Sequence, residues 1–309
     1  MVQIVDPSKA TFLASAGIIT VLFAVAFLGT SGEKVIVATT TSTADTGLMD
    51  YIKPYFEAEC GASLSWISLG TGQAIAVASR GDADILLIHD REREEQFVSS
   101  GNGTLRVTVF YNDFVVVGPI GDPASASSQD AKVCMGRIAD AGRSGAALFI
   151  SRGDESGTHA LERHLWAASG IRDYENSGWY KSAGSGMAAT LRLASELGAY
   201  TITDRGTFCK LKESMGEALK LIVVCEGDPA LFNPYSLVLI NSSRYPNIRY
   251  ESAITFLLFI TSPEGQGLIG NYTLSGERVF FPIYGNTESL GLPPEDEAVA
   301  FIEALRARR

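Results

Sequence analysis

VIVATTTSTADTGLMDYIKPYFEAECGASLSWISLGTGQAIAVASRGDADILLIH, residues 35–89, decides the fold class. Its first six residues, VIVATT, are a continuous β-branched run of the kind found in strands buried on both faces. A polar turn, TSTADTG (41–47), leads to Leu48, Tyr51, Ile52, Tyr55 and Phe56. Their i, i+3, i+4, i+7, i+8 spacing lays an apolar stripe along one face of a helix, and Gly61 closes it. LSWISL (64–69) reads as a second strand and Gly70-Thr71-Gly72 as a turn. A helix to about Ser79 and a third strand, DILLIH (84–89), follow. Strands alternating with helices in this order predict an α/β protein with a parallel sheet.

Working outward, VFYNDFVVVGP (109–119) reads as a strand stopped by Pro119, followed by a Gly/Asp/Pro/Ser-rich segment (121–129) that takes the chain into a second lobe. The alternation restarts there. ALFIS (147–151) is a strand, RGDESGT a turn into a helix ending near Ser169, Gly186–Leu197 a helix, and AYTIT (199–203) and LKLIVVC (219–225) two more strands. EGDPALFNPYSLVLI (226–240) has the turn-then-strand pattern of a return crossing. VFFPI (279–283) is a late extended piece, and the last helix carries Glu295, Asp296 and Glu297 at its start and Arg306, Arg308 and Arg309 at its end, matching the helix dipole. The expected organisation is lobe I over 33–117 and 236–309, lobe II over 118–235, and two crossing segments between them.

Thr11 to Leu28 is 18 residues without a charge, preceded by Asp6 and Lys9. That length suits either a signal-peptide core or a membrane-spanning helix. Ala24-Val25-Ala26 offers a small-x-small cleavage site, while the single Lys9 is a weak basic flank. Residues 1–32 are therefore read as a signal peptide or an N-terminal membrane anchor, and both place the remainder outside the cytoplasm. No Cys follows the run, which argues against a bacterial-type lipid anchor.

The chain has 25 Lys+Arg against 35 Asp+Glu, a net charge of −10. It has no basic face to spare for a phosphate backbone, which excludes a nucleic-acid binder. With 46% apolar and 19% charged residues it buries a full core. Three turns between a strand and a helix are rich in hydroxyls and glycines: Thr40-Thr41-Ser42-Thr43, Gly70-Thr71-Gly72-Gln73, and Arg152-Gly153-Asp154-Glu155-Ser156-Gly157-Thr158. In open α/β sheets ligands bind beyond the carboxyl ends of the strands, so these turns are placed to converge on one cleft. Helix N-termini present N–H groups to an anion, hydroxyls add neutral donors, and Arg152 adds the one full positive charge. Ser and Thr acting only as helix caps is the plainer alternative for any one turn.

TTTSTADTGL (39–48), GTGQA (70–74), GDADILLIH (81–89), YNDFVVVGP (111–119), SRGDESGTH (151–159), GSGM (184–187), YTITDRGT (200–207) and LFNPY (231–235) together resemble the tungstate-binding proteins of ABC importers. SRGDESGTH alone is also similar to the anion loop of phosphate-binding proteins. The resemblance spans about residues 34–285 and implies a periplasmic-binding-protein type II fold with the ligand between two lobes. It implies an extracytoplasmic, monomeric, non-enzymatic receptor that takes tungstate as an oxyanion, without a cofactor or a protein–metal bond. Its partners would be a membrane permease and, through it, a cytoplasmic ATPase. Carried over by position, Thr41, Ser42 and Thr71 of lobe I and Arg152, Ser156 and Thr158 of lobe II would hold the anion, with Gly157 giving a backbone N–H and Gly186 and Met187 approaching from a further helix start. Molybdate, which such a site would also take, sulfate or phosphate as ligand, and a membrane-tethered oxyanion sensor, are the alternatives. They share this site and differ in cavity dimensions or partner.

Rival chemistries find little support. Asp154, Ser156 and His159 lie close in sequence, but no G-x-S-x-G elbow exists for a serine hydrolase. Gly184-Ser185-Gly186-Met187-Ala188-Ala189 fits a dinucleotide pattern without a buried strand before it. No Gly-Lys dipeptide occurs, so there is no Walker A loop. His159 and His164 stand five apart, off the spacing that aligns two metal ligands on a helix. His89 is read as a hydrogen-bonded structural residue, and Trp166, Trp179 and Tyr180 as packing. Of Cys60, Cys134, Cys209 and Cys225, the pairing favoured from sequence is Cys209 with Cys225, because the stretch between them reads as one helix-to-strand unit; four buried free thiols are the alternative.

Overall fold

The computed structural model describes residues 33–308; the signal or anchor expected over residues 1–32 lies outside them. Among the described residues no helix is long and apolar enough to cross a membrane. The chain begins with β1 (Lys34–Thr40), α1 (Thr41–Thr46), α2 (Leu48–Cys60), β2 (Ser63–Leu69), α3 (Thr71–Ala78), β3 (Ile85–Ile88) and α4 (Arg91–Ser99). β2 and β3 flank β1, both parallel to it. Alternation along β1 sends Val35 and Val37 into a core with Leu48, Ile52 and Phe56 of α2, and Ala38 into one with Ala74 and Val77 of α3. Both faces of this sheet are thus covered, which is why VIVATT reads as a continuous apolar run.

β4 (Gly103–Pro119) then runs 17 residues and leaves one core for another. Val107, Val109 and Phe110 pack with β1 and α2, whereas Val116 packs with Ala131, Cys134 and Trp166. Next come α5 (Ala131–Arg143), β5 (Phe149–Ser151), α6 (Gly157–Ala168), β6 (Tyr180–Ser182), α7 (Met187–Leu197), β7 (Thr201–Asp204), α8 (Arg205–Met215), β8 (Leu221–Cys225) and β9 (Phe232–Ile240). β9 returns antiparallel to β4, with Asn112 opposite Asn233 and Asp113 opposite Phe232. α9 (Tyr250–Ile260), α10 (Pro263–Asn271), the short strands β10 (Thr273–Leu274), β11 (Glu277–Arg278) and β12 (Phe281–Pro282), and α11 (Asp296–Arg306) complete the described chain. Trp166 and Trp179 are buried, as the packing reading expected.

The structure corrects the sequence reading in three places. The sheet is mixed rather than parallel: its order is β12-β4-β9-β3-β1-β2, and β7, β8, β9 and β12 all run antiparallel to β4. Each crossing brings the chain back beside the strand it left by, so pairing is antiparallel where the two cores join and parallel only away from that seam. Residues 41–46, expected as a turn, form the helix α1, ended by Gly47 at φ 87°. Thr, Ser and Asp are poor interior helix residues, and this short helix is held by its packing against β1 and α2. Finally, none of the four cysteines is in a disulfide. Cys209 turns into the core of β1 and α2 while Cys225 lies in the core of α5, so the Cys209–Cys225 pairing fails because the two thiols face different cores.

Two features tie the cores together at the crossings. Arg205 donates to Asp113 on β4 through Nε (2.8 Å) and Nη2 (2.5 Å) and to Glu226 before β9 (2.6 Å), bracing both crossing segments from the start of α8. One residue on, Gly206 faces Thr46 of α1, where an added Cβ would meet Thr46 Cγ2 at 3.2 Å. Lys210 Nζ on the next turn of α8 donates to the carbonyl of Asp45.

Candidate functional site: an anion cleft between the cores

The three hydroxyl-rich connections leave the carboxyl ends of β1, β2 and β5 and line one cavity of about 900 Å³. Of the residues expected to hold an anion, Thr41, Thr71, Arg152, Ser156, Gly157 and Thr158 all line it. Ser42 belongs to α1, and its side chain lies outside the described residues. Met187 also lines the cavity, while Gly186 is the N-cap residue of α7 behind it.

On the β5 side the loop is tightly organised. Gly153 sits at φ 58° and packs against Ser182, whose Oγ would lie 1.7 Å from any Cβ added there. Its N–H donates to Ser151 Oγ (3.1 Å). Arg152 donates to Asp154 through Nε (3.1 Å) and Nη2, and to Thr158 Oγ1 through Nη1 (3.3 Å). Asp154 Oδ1 in turn accepts from Ser156 N–H (3.3 Å). These donors hold the Asp154 carboxyl below its ordinary range despite the opposing effect of burial. Ser156 caps α6 by accepting from His159 N–H (3.3 Å). Capping uses a lone pair of the hydroxyl and leaves its proton to donate, and Thr158 Oγ1, accepting from Arg152, is in the same position. Below the loop, Glu162 is buried and accepts from Tyr180 Oη (2.8 Å) and Trp166 Nε1 (3.3 Å); desolvation raises its carboxyl above the usual range.

The opposite wall is built differently. No N-cap side chain caps α1 or α3, whose N-cap residues are Thr40 and Gly70; at α3 the Gly70 N–H itself donates to Gln73 Oε1 (3.4 Å). Thr40 and Thr43 share a hydroxyl hydrogen bond (3.1 Å), and Thr39 Oγ1 donates to the Leu87 carbonyl (2.8 Å), which locks the end of β1. The N-terminus of α3 is free of competing carboxylates in its first turn. Its amides and the hydroxyls of Thr41 and Thr71 are therefore presented as neutral donors.

Several cavity residues escaped the sequence reading. His89 was expected to be structural, and it is bonded through Nδ1 to Asn233 Oδ1 (3.2 Å); burial lowers its pKa, so the ring is neutral, yet it lines the cavity. Asn112 and Asn233, joined at 2.8 Å across β4 and β9, form the floor. Arg93 and Lys210 are further cations on the lining, so Arg152 is not the sole positive charge. Of the carboxylates on the lining, Asp90 caps α4 and faces Arg93, Glu155 pairs with Arg163, the half-buried Asp204 accepts from Thr207 N–H (2.8 Å) and Oγ1 (2.6 Å), and Asp45 stands on α1, its backbone carbonyl accepting from Lys210. Among the described residues no cluster of His, Cys, Asp and Glu suits a metal ion.

Comparison with known proteins gives concordant results. The PBP superfamily domain matches residues 28–264. The chain is 44% identical over 255 residues to a Haloferax volcanii protein named for anion binding in an ABC transporter, covering 82% of this chain and 72% of that protein. It is 41% identical over 239 residues to the tungstate-binding protein TupA of Peptoclostridium acidaminophilum, covering 77% and 81%. The solved structure of the tungstate-binding protein TupA from Desulfovibrio alaskensis superposes with a TM-score of 0.77 at 40% identity, over 81% of this chain and 99% of that one.

Proposed function

The chain belongs to the PBP superfamily and, within it, to the family of the tungstate-binding protein TupA, and from that premise we propose that it captures tungstate outside the cytoplasm for an ABC importer. The observation that carries the reading is the convergence of uncharged donors from both walls on one cleft, with Arg152 on its lining held in place by Asp154. Tungstate is a dianion without a proton at neutral pH, so each of its oxygens accepts and none donates. Monoprotonated phosphate rewards an acceptor in the site. Asp154 faces the guanidinium, and Asp84 is buried away, bonded to Ile36 N–H (2.7 Å) and Arg249 N–H (2.7 Å). A site of donors favours the fully deprotonated ion.

In this reading Thr41, Ser42 and Thr71 donate from lobe I (33–117 and 236–309), and Arg152, Ser156, Thr158 and the Gly157 amide from lobe II (118–235). Hydrogen bonds to a charged partner contribute roughly 1.5–3 kcal/mol each, and a nanomolar dissociation constant corresponds to about 12 kcal/mol. About seven donors therefore suffice after desolvation, with no cofactor and no protein–metal bond. A cavity of about 900 Å³ is far larger than one tetrahedral anion, so tight capture requires the lobes to close about β4 and β9. The closed, loaded form is the one a permease, coupled to its ATPase, would select. No step makes or breaks a covalent bond, and a monomer carries the whole site.

Calorimetric titration with tungstate, followed by competition with molybdate, sulfate and phosphate, tests this. Tungstate should bind most tightly, and sulfate and phosphate should fail to displace it. Preferred binding of phosphate or sulfate would move the transport assignment to that anion, and no binding at all would remove the cleft from consideration.

A further inference from the structure

We propose that Cys134 and Cys225 form a disulfide in the mature protein, closing a loop of about 90 residues within lobe II. Cys134 lies one turn into α5 and Cys225 is the last residue of β8. Both are buried, 0% and 1% exposed, in one apolar core, where the two thiols are neighbours. The backbone brings them together: Ser128 N–H donates to the Val224 carbonyl (2.9 Å), Ser128 bridges to Cys225, and Ala131 N–H donates to Asp228 Oδ2 (2.7 Å). The start of α5 is thus stitched to the end of β8 independently of the sulfurs.

The other two thiols belong with the other core. Cys209 sits in the core of β1 and α2, where burial pushes its pKa up to about 11, and Cys60 ends α2. Within the pair, the neighbouring Cys225 sulfur and burial raise the Cys134 thiol, while the Cys134 neighbour lowers Cys225. Exchange with a disulfide oxidant, such as oxidised glutathione or a thiol–disulfide exchange protein, proceeds by attack of the thiolate of either cysteine on the oxidant, releasing one thiolate. Attack by the other cysteine's sulfur on the mixed disulfide then releases the second. Two protein thiols lose two protons and two electrons, and one oxidant disulfide becomes two thiols. Because both sulfurs are buried, the exchange takes place before the core closes.

The inference rests on the extracytoplasmic reading, where such oxidants are available. It is tested without relying on tungstate. The purified full chain, unfolded and refolded with oxidised glutathione, is denatured, alkylated and digested. Cys60 and Cys209 should be alkylated and a peptide joining 134 to 225 recovered. Reduction should lower the melting midpoint by roughly 10 °C, in the wild type and in a Cys60→Ala/Cys209→Ala variant but not in Cys134→Ala. Four alkylated cysteines, a 209–225 link, or equal midpoints with and without reductant would overturn the proposal. Tungstate titration of the same sample reports separately on the receptor reading, since the redox result stands whether or not the anion binds.

Discussion

The two walls of the cleft reach the same task by different means. The Ser151–Thr158 loop carries charge and fixes it with its own hydrogen bonds: Asp154, Thr158 and Ser156 hold Arg152 and each other before any ligand arrives. The wall of α1 and α3 carries no formal charge at Thr41 or Thr71, and no N-cap side chain spends the first amides of either helix. One side is prepared by internal pairing, the other by leaving donors unspent. In the proposed function a dianion would take its strongest single interaction from the first and its enclosure from the second.

This asymmetry is best broken at Arg152. Arg152→Ala should weaken tungstate binding by at least about 2 kcal/mol, roughly thirtyfold, because a charge-assisted donor is lost and Asp154 is left facing the site uncompensated; unchanged affinity by calorimetry would mean the anion sits elsewhere. Gly153→Ala attacks the same loop through its backbone. A methyl at φ 58° against Ser182 should cost about 1–3 kcal/mol of stability, visible as a lower denaturation midpoint. On the neutral wall the losses should be smaller: Thr71→Val and Ser42→Ala each about 1 kcal/mol, compared with Thr158→Val at somewhat more. Equal losses for Thr71→Val and Arg152→Ala would erase the distinction between the walls.

The smallest expected effect sharpens the comparison from beneath the loop. Glu162 has its pKa raised by burial, so the fold prefers it protonated. Its favourable contribution is complete below about pH 4.3, the unfolded value, and disappears as pH rises through the raised folded value. Glu162→Gln, which keeps an oxygen for Tyr180 and Trp166, should therefore melt higher than the wild type at pH 7 and alike at pH 4. A gap that narrows toward neutral pH would contradict this.

How much of this was legible beforehand follows from what each residue depends on. β1 and β3 are buried on both faces and announce themselves as apolar runs, β2 is a half-buried edge strand, and the donor turns lie where strand gives way to helix. α1 was hidden because TSTADT has neither helix propensity nor periodicity, only a place to pack. Asn112, Asn233 and Lys210 reach the cleft through β4–β9 pairing and the lean of α8, which no local pattern encodes, whereas His89 follows a strand end, from where the sequence already allowed it to face the cleft. The cysteines show the same limit: Cys209 and Cys225 are near in sequence and face different cores, while Cys134 and Cys225, far apart in sequence, share one.

Gly206 turns the resting gap between the halves into a matter of one missing methyl. With 3.2 Å between a would-be Cβ and Thr46 Cγ2, alanine would press on α1 and a larger side chain would act as a doorstop, propping the jaw ajar without removing a single donor. Because tight capture in the proposed function requires closure, such a side chain would loosen the grip with every donor still in place, at a residue that itself donates nothing.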